Sequence, residues 1–172
     1  MKFLASVCAL MLALTASSKA DILTTDYLLQ RGYTFEDTDI ELFSQGISGI
    51  QPGTFLNFSK LLNLSLALNV LTEIPASSFI GLSSLQNLDL SVNNISNLTQ
   101  GSFDGLTNLV RFGFSDNLLP ELREWTFAGL TYLQNIDLAR NKIIMVETGV
   151  QKRTGICLST HKRNNIFLVF LS

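Results

Sequence analysis

Cys157 and His161 stand four residues apart, a spacing that on a helix would bring a thiol and an imidazole to one face, where they could begin a nucleophile or a metal site. Nothing completes either. His161 is the single histidine and Cys8 the only other cysteine, so a catalytic triad or a tetrahedral metal site lacks the members it needs. The chain carries no CxxC pair, HExxH helix, phosphate-binding glycine loop or GxGxxG turn. Its residues point away from catalysis and from a resident cofactor or metal.

What recurs instead is a strip of polar side chains. The positions read outward are Asp39, Glu41 and Phe43; Asn63, Ser65 and Ala67; Asn87, Asp89 and Ser91; Arg111, Gly113 and Ser115; then Asn135, Asp137 and Ala139, with Asp116 and Arg140 just beyond. Carboxylates dominate, interrupted by Arg111 and Arg140. Such a strip complements a basic or mixed-charge protein and steers its approach. A nucleic acid is excluded, because up to Gly149, leaving out the first twenty residues, fourteen acidic side chains face six basic ones.

These residues recur because the chain repeats itself every 24 residues. The clearest copies start at Leu61, Leu85, Leu109 and Leu133, and a looser one begins at Asp37 with Ile40, Leu42, Gln45, Ile47, Ile50, Phe55 and Phe58 in phase. Self-similarity at a fixed period of this length indicates a solenoid. Around Asn63, Leu64, Ser65 and Leu66, apolar and polar residues alternate as in a half-buried strand, which predicts Leu64 and Leu66 inward and Asn63 and Ser65 outward.

An amide column, Gln45, Asn69, Asn93, Asn117 and Asn141, follows each strand where the chain must turn. An amide offers two donors and an acceptor to turn groups that a leucine would leave unpaired. Ile47, Leu71, Ile95, Leu119 and Ile143, then Ile50, Ile74, Leu98, Leu122 and Val146, are read as filling the descending side of each coil. Phe55, Phe79, Phe103 and Phe127 form a core column, and Gly81, Gly105 and Gly129 mark tight loops that need a positive φ or a close backbone approach. Phe112 and Phe114 replace leucine in the fourth copy and predict a bulkier core there.

The shared pattern, L-x-x-L-x-L-x-x-N-x-L-x-x-L with a Phe five residues on and a Leu three after that, resembles the leucine-rich repeat family in its extracellular form, the type of Toll-like receptor ectodomains and adhesion proteins. The resemblance implies an α/β leucine-rich repeat solenoid of about five repeats, with short parallel strands on a concave face and mostly irregular convex loops. It further implies that the asparagines form a buried ladder, that the phenylalanines stack as a spine near the convex face, and that partners bind the strand face. Gln45 departs from the pattern and weakens the first rung. The binding residues expected on that face are Asp39, Glu41, Asp89, Arg111, Asp116, Asn135, Asp137 and Arg140.

Residues 1–20 have a basic start at Lys2, an apolar run from Phe3 to Leu14 and small residues at Ser18 and Ala20, the layout of a secretory signal cleaved before Asp21. The run is shorter than the ~20 residues of a membrane span. Losing Lys2 and Lys19 would take the formal net charge from −2 to −4, and would leave Cys157 as the one cysteine, suited to an intermolecular disulfide. Extracellular members of the family commonly carry cysteine-rich caps, and neither is visible. Residues 21–36 are instead expected to shield the first coil through Ile22, Leu23, Tyr27, Leu28, Leu29, Tyr33 and Phe35, as a strand or short helix. Repeats are assigned to 37–149. The phase fails after Val146, and residues 150–172 read as an irregular basic and apolar tail, either the scar of a truncated product or a makeshift cap.

Four sequons, at Asn57, Asn63, Asn94 and Asn97, fit an extracellular glycoprotein. Asn63 projects from the strand face, so a glycan there would push ligand contact toward Arg111 through Arg140 or onto a lateral edge. Trp125, beside Arg123 and Glu124, is read as packing next to Phe127. The function implied is a secreted, non-enzymatic recognition scaffold in adhesion or innate immune recognition, with an extracellular protein as ligand and a glycan or microbial product as the other ligand classes. Neither nucleic acid nor membrane is an expected partner. The alternatives are a matrix protein assembled through Cys157 and a truncated product without binding function of its own.

Overall fold

The computed structural model describes residues 21–148, Val150, and the backbone of the strands Ile156–His161 and Asn165–Phe170. The expected signal, residues 1–20, lies outside the described residues.

The chain opens with β1 (Asp21–Leu23) and a helix α1 (Thr25–Gln30), followed by β2 (Asp39–Glu41) and β3 (Ile47–Ile50). Each coil then supplies one inner strand and one short outer strand: β4 (Asn63–Ser65) and β5 (Glu73–Ile74), β6 (Asn87–Asp89) and β7 (Asn97–Leu98), β8 (Arg111–Gly113) and β9 (Glu121–Leu122), β10 (Asn135–Asp137) and β11 (Met145–Val146). Strands β2, β4, β6, β8 and β10 form one parallel sheet without a register slip, so that Asp39, Asn63, Asn87, Arg111 and Asn135 stand side by side. An unbroken 24-residue period stacks every repeat position into a column. The leucine-rich solenoid of five coils expected from the sequence is the fold observed.

Alternation sorts the sheet's two faces. Leu64 and Leu66 are buried while Asn63 and Ser65 are half-buried on the opposite side. Two residues past the strand the expectation holds for the exposed Phe43 and the half-buried Ser91 and fails for Ala67, Ser115 and Ala139, which are buried. In the turn that follows, Ser44, Leu68, Val92, Asp116 and Arg140, one per coil, all have φ between 55° and 57°, a left-handed bend that ends the extended strand. For residues with a Cβ that conformation costs roughly 1–2 kcal/mol each, most for the β-branched Val92.

The bend aims the next side chain into the core, and the asparagine there offsets the cost. Asn93 donates through Nδ2 to the carbonyls of Leu66, Leu90 and Ser91 at 3.0, 3.1 and 3.3 Å, and its Oδ1 accepts the Leu71 N–H at 3.0 Å. Asn69, Asn117 and Asn141 repeat the arrangement. Gln45 does not, because its longer side chain turns outward to the Phe43 carbonyl and Arg31.

Phe55, Phe79, Phe103 and Phe127 stack with centroids 6.2, 6.3 and 6.5 Å apart. Strands in a sheet lie only about 4.8 Å apart. Coils spaced more widely at the phenylalanines than at the strands must curve, which leaves the strand face concave. Phe112 joins this column edge-on, 5.0 Å from Phe103 and 5.5 Å from Phe114, giving the fourth coil its bulkier core. On the descending side Leu98, Ile143 and Val146 are only partly buried; the rest of the expected residues are fully inside.

At the first coil, the shielding segment is both a strand and a helix. β1 pairs in parallel with β3, and Thr24 caps α1 by accepting the Tyr27 N–H at 3.1 Å. Leu23 and Leu28 are buried, and Tyr27 and Tyr33 pack against the core, but Ile22 and Leu29 face outward. At the other end Val150, assigned from sequence to the tail, is buried in the core. Beyond it the expected irregular stretch carries two strands, β12 (Ile156–His161) and β13 (Asn165–Phe170), which pair antiparallel; β13 meets β10 through Phe167 and Asp137.

Candidate protein-binding face

Equivalent outward positions of adjacent strands are joined by side-chain bonds. Arg111 Nη1 reaches Asn87 Oδ1 at 3.4 Å, Asn87 Nδ2 donates to Asn63 Oδ1 at 2.5 Å, and Asn63 Nδ2 donates to Asp39 Oδ1 at 2.5 Å. Thr38 closes the chain by donating its hydroxyl to Asp39 Oδ2 at 2.6 Å. All four ladder residues occupy one repeat position, so the row runs straight across β8, β6, β4 and β2. The Thr38 hydroxyl and then the Asn63 amide hold the Asp39 carboxyl below its usual range and keep it ionised. A cation at one end and a carboxylate at the other give the row a fixed polarity.

Glu41, Ser65, Asp89, Gly113 and Asp137 form the parallel row nearer the strand exits. Asp89 and Asp137 fold back, each accepting the N–H two residues on, from Ser91 and Ala139, at 2.9 Å. Gly113 makes room for this, since a Cβ there would stand 2.7 Å from Asp89 Oδ1. Between the two rows lies an open concavity of about 510 Å³, floored by Leu64, Leu88 and Gly113 and walled by Asp39, Glu41, Asn63, Ser65, Asn87, Asp89, Ser91 and Arg111.

Of the binding residues expected from sequence, Asp39, Glu41, Asp89 and Arg111 come together around that concavity. Asn135 and Asp137 are exposed on the next strand, outside its lining. Asp116 and Arg140 sit at the strand exits and hold one another: Arg140 Nε and Nη2 each lie 2.5 Å from a different oxygen of Asp116. Arg140's hydrogen bonds keep the Asp116 carboxyl low, and the carboxylate raises the guanidinium in turn. Asn63, Leu64, Ser65, Asn87, Leu88, Ser91 and Gly113 are lining residues absent from the expected set. Asn87 was legible all the same, because it repeats Asn63 one period on.

Among the described residues Trp125 has no ring contact with Phe127; it is half-buried on the flank and borders small clefts with Leu98, Pro120 and Thr126 and with Gln100 and Phe103. In earlier coils Gly53, Ser77 and Gly101 occupy its place with positive φ, and the bulk of an indole breaks that series. Beside it Arg123 pairs with Glu121 at 2.5 Å and Glu147 at 3.8 Å. Cys157 and His161 lie on β12, opposite Val169 and Asn165, so the helical face proposed for them is replaced by a strand. Among the described residues no group of three or more His, Cys, Asp or Glu could hold a metal, and no helix is long and apolar enough to cross a membrane.

The leucine rich repeat family model matches residues 38–95 and 83–143. Two solved structures share the fold: Toll, from a Toll–Spatzle complex of Drosophila development and innate immunity, with a TM-score of 0.64 and 26% identity over 69% of this chain, and the leucine-rich repeat domain of APL1B, with a TM-score of 0.62 and 25% identity over 74%. This chain matches only 16% of the Toll chain and 36% of the APL1B chain. No curated protein matches it. The in-register coils, the buried asparagine ladder and the family match agree: the chain belongs to the leucine-rich repeat family and is a scaffold for protein interaction.

Proposed function

We propose that this chain is a secreted, non-enzymatic recognition protein that holds an extracellular protein ligand on the concave face, in innate immune recognition or cell adhesion. The observation that carries the reading is the polar row from Arg111 to Asp39. Its inner members satisfy one another, so they form a stiff wall, while Glu41 and the outer side of Arg111 are left to a partner. A protein segment presenting a basic side chain toward Asp39 and Glu41 and an acceptor toward Arg111 fits this polarity. The fold shared with Toll, solved in complex with Spatzle, supports a protein ligand. The signal-like residues 1–20 and the four sequons support secretion, and the absence of a completed nucleophile or acid–base constellation in the sequence supports a binding role.

The test is capture of a partner from an array of secreted proteins, followed by its affinity for two variants. Arg111→Glu reverses the one cation of the concavity and is expected to weaken binding at least tenfold. Tyr132→Ala, on the lateral flank, should leave binding unchanged. Equal affinity for the wild type and Arg111→Glu would move the site off the concave face.

A further inference from the structure

We infer that the folded chain carries N-linked glycans at Asn57 and Asn94 and at neither Asn63 nor Asn97. The four sequons are alike in sequence and unlike in surroundings. Asn63 is half-buried in the middle of the polar row, its Nδ2 against Asp39 and its Oδ1 against Asn87, both at 2.5 Å. A sugar on Nδ2 leaves one N–H, but its ring would have to stand between two neighbours already at hydrogen-bond distance. Asn97 lies on β7 with Nδ2 turned to Glu73 Oε2 at 3.5 Å, and its sequon hydroxyl, Thr99, faces the Ile74 carbonyl and Ser102. It also lies three residues after Asn94, so close in sequence that two glycans would crowd each other.

Asn97 and Thr99 are exposed, as are Asn57, Ser59, Asn94 and Ser96, but the side chains of Asn57 and Asn94 have no hydrogen-bond partner among the described residues. Each also neighbours apolar surface that needs cover. Leu56, next to Asn57, is 59% exposed. Asn94 occupies the same repeat position as the exposed Val70 and Leu118, held in step by backbone bonds to the preceding coil, and follows the strained and exposed Val92 by two residues. The first sugars at Asn94 therefore lie over the apolar edge and leave the concave face open.

Chemically, Nδ2 displaces the pyrophosphate from the anomeric carbon of a lipid-pyrophosphate-linked oligosaccharide. The C1–N bond forms, the C1–O bond breaks with its electron pair leaving on the lipid pyrophosphate, and the amide gives up one proton.

This inference rests on the proposed secretion, so the experiment separates the two. The full chain is expressed in a eukaryotic secretory host twice, as it is and with a strong secretion leader added ahead of it. Retention of the first alone sinks the secretion reading, and the second still decides the glycan pattern. Glycopeptide mass spectrometry of folded monomer is expected to find sugar at Asn57 and Asn94 and unmodified Asn63 and Asn97. Any other occupancy overturns the inference. Ser96→Ala, which removes the Asn94 sequon without touching the asparagine, should cost one glycan in gel mobility. Ser65→Ala, which spares the bonds of Asn63, should cost none; a shift there would place a glycan on Asn63.

Discussion

Arg140 grips both carboxylate oxygens of Asp116 across one coil, and both residues sit in the left-handed bend that ends a strand. The pair ties the two last strand exits together where the earlier coils offer only Ser44, Leu68 and Val92. Asp116's carboxyl is held below the ordinary 3.8 by this contact. A depressed folded value means that the stabilisation is fully present above 3.8 and disappears as pH falls through the folded value. Asp116→Asn should therefore be less stable than the wild type at pH 6, and equal to it once the pH is below both values. Urea melts of the two proteins at pH 6 and in strong acid check this, and high salt should shrink the difference, because the pair is exposed.

The asparagine ladder should be far more sensitive. Asn93→Ala removes three bonds to carbonyls and leaves the buried Leu71 N–H without its acceptor, a loss of about 3 kcal/mol or more. Gln45→Ala, at the same repeat position but exposed, should change stability by less than about 0.5 kcal/mol. Chemical denaturation of the two variants measures the contrast, and equal losses would contradict the account of the ladder.

Glycine positions that look identical in sequence should respond differently. A Cβ at Gly81 would stand 2.4 Å from the Phe55 carbonyl oxygen and the residue has φ 102°, whereas at Gly129 the space is open and φ is 86°. Gly129→Ala should cost roughly 1–2 kcal/mol from conformation alone. Gly81→Ala should cost more, since the coil above must also move. Thermal melts that rank them the other way would show that the loops relax freely.

Phe103→Ala should be among the most damaging core changes, at about 3–5 kcal/mol, because the ring contacts Phe79, Phe112 and Phe127. Loss of one coil's spine also uncouples its neighbours. Hydrogen exchange should show the coils on either side of Phe103 opening together in the variant, where the wild type protects them.

The repeat phase determined the solenoid, its five coils, the inward leucines and the columns of asparagine and phenylalanine, because a residue type that recurs at a fixed period in a stacked fold must meet its own copies. That the asparagines form a buried ladder and the phenylalanines a stacked spine was what the family resemblance implied. The phase also placed Asp39, Glu41, Asp89 and Arg111 on one face. Only the tertiary structure decided which of them cooperate. Asn63 and Asn87 satisfy each other and link Asp39 to Arg111, while Asp116 and Arg140 leave the face to pair, because those outcomes depend on distances between side chains of different coils. Burial just past the strands was likewise open in the sequence: a left-handed bend made by non-glycine residues ends the extended stretch in every coil, and of the residues before it Ala67, Ser115 and Ala139 are buried while Phe43 is exposed.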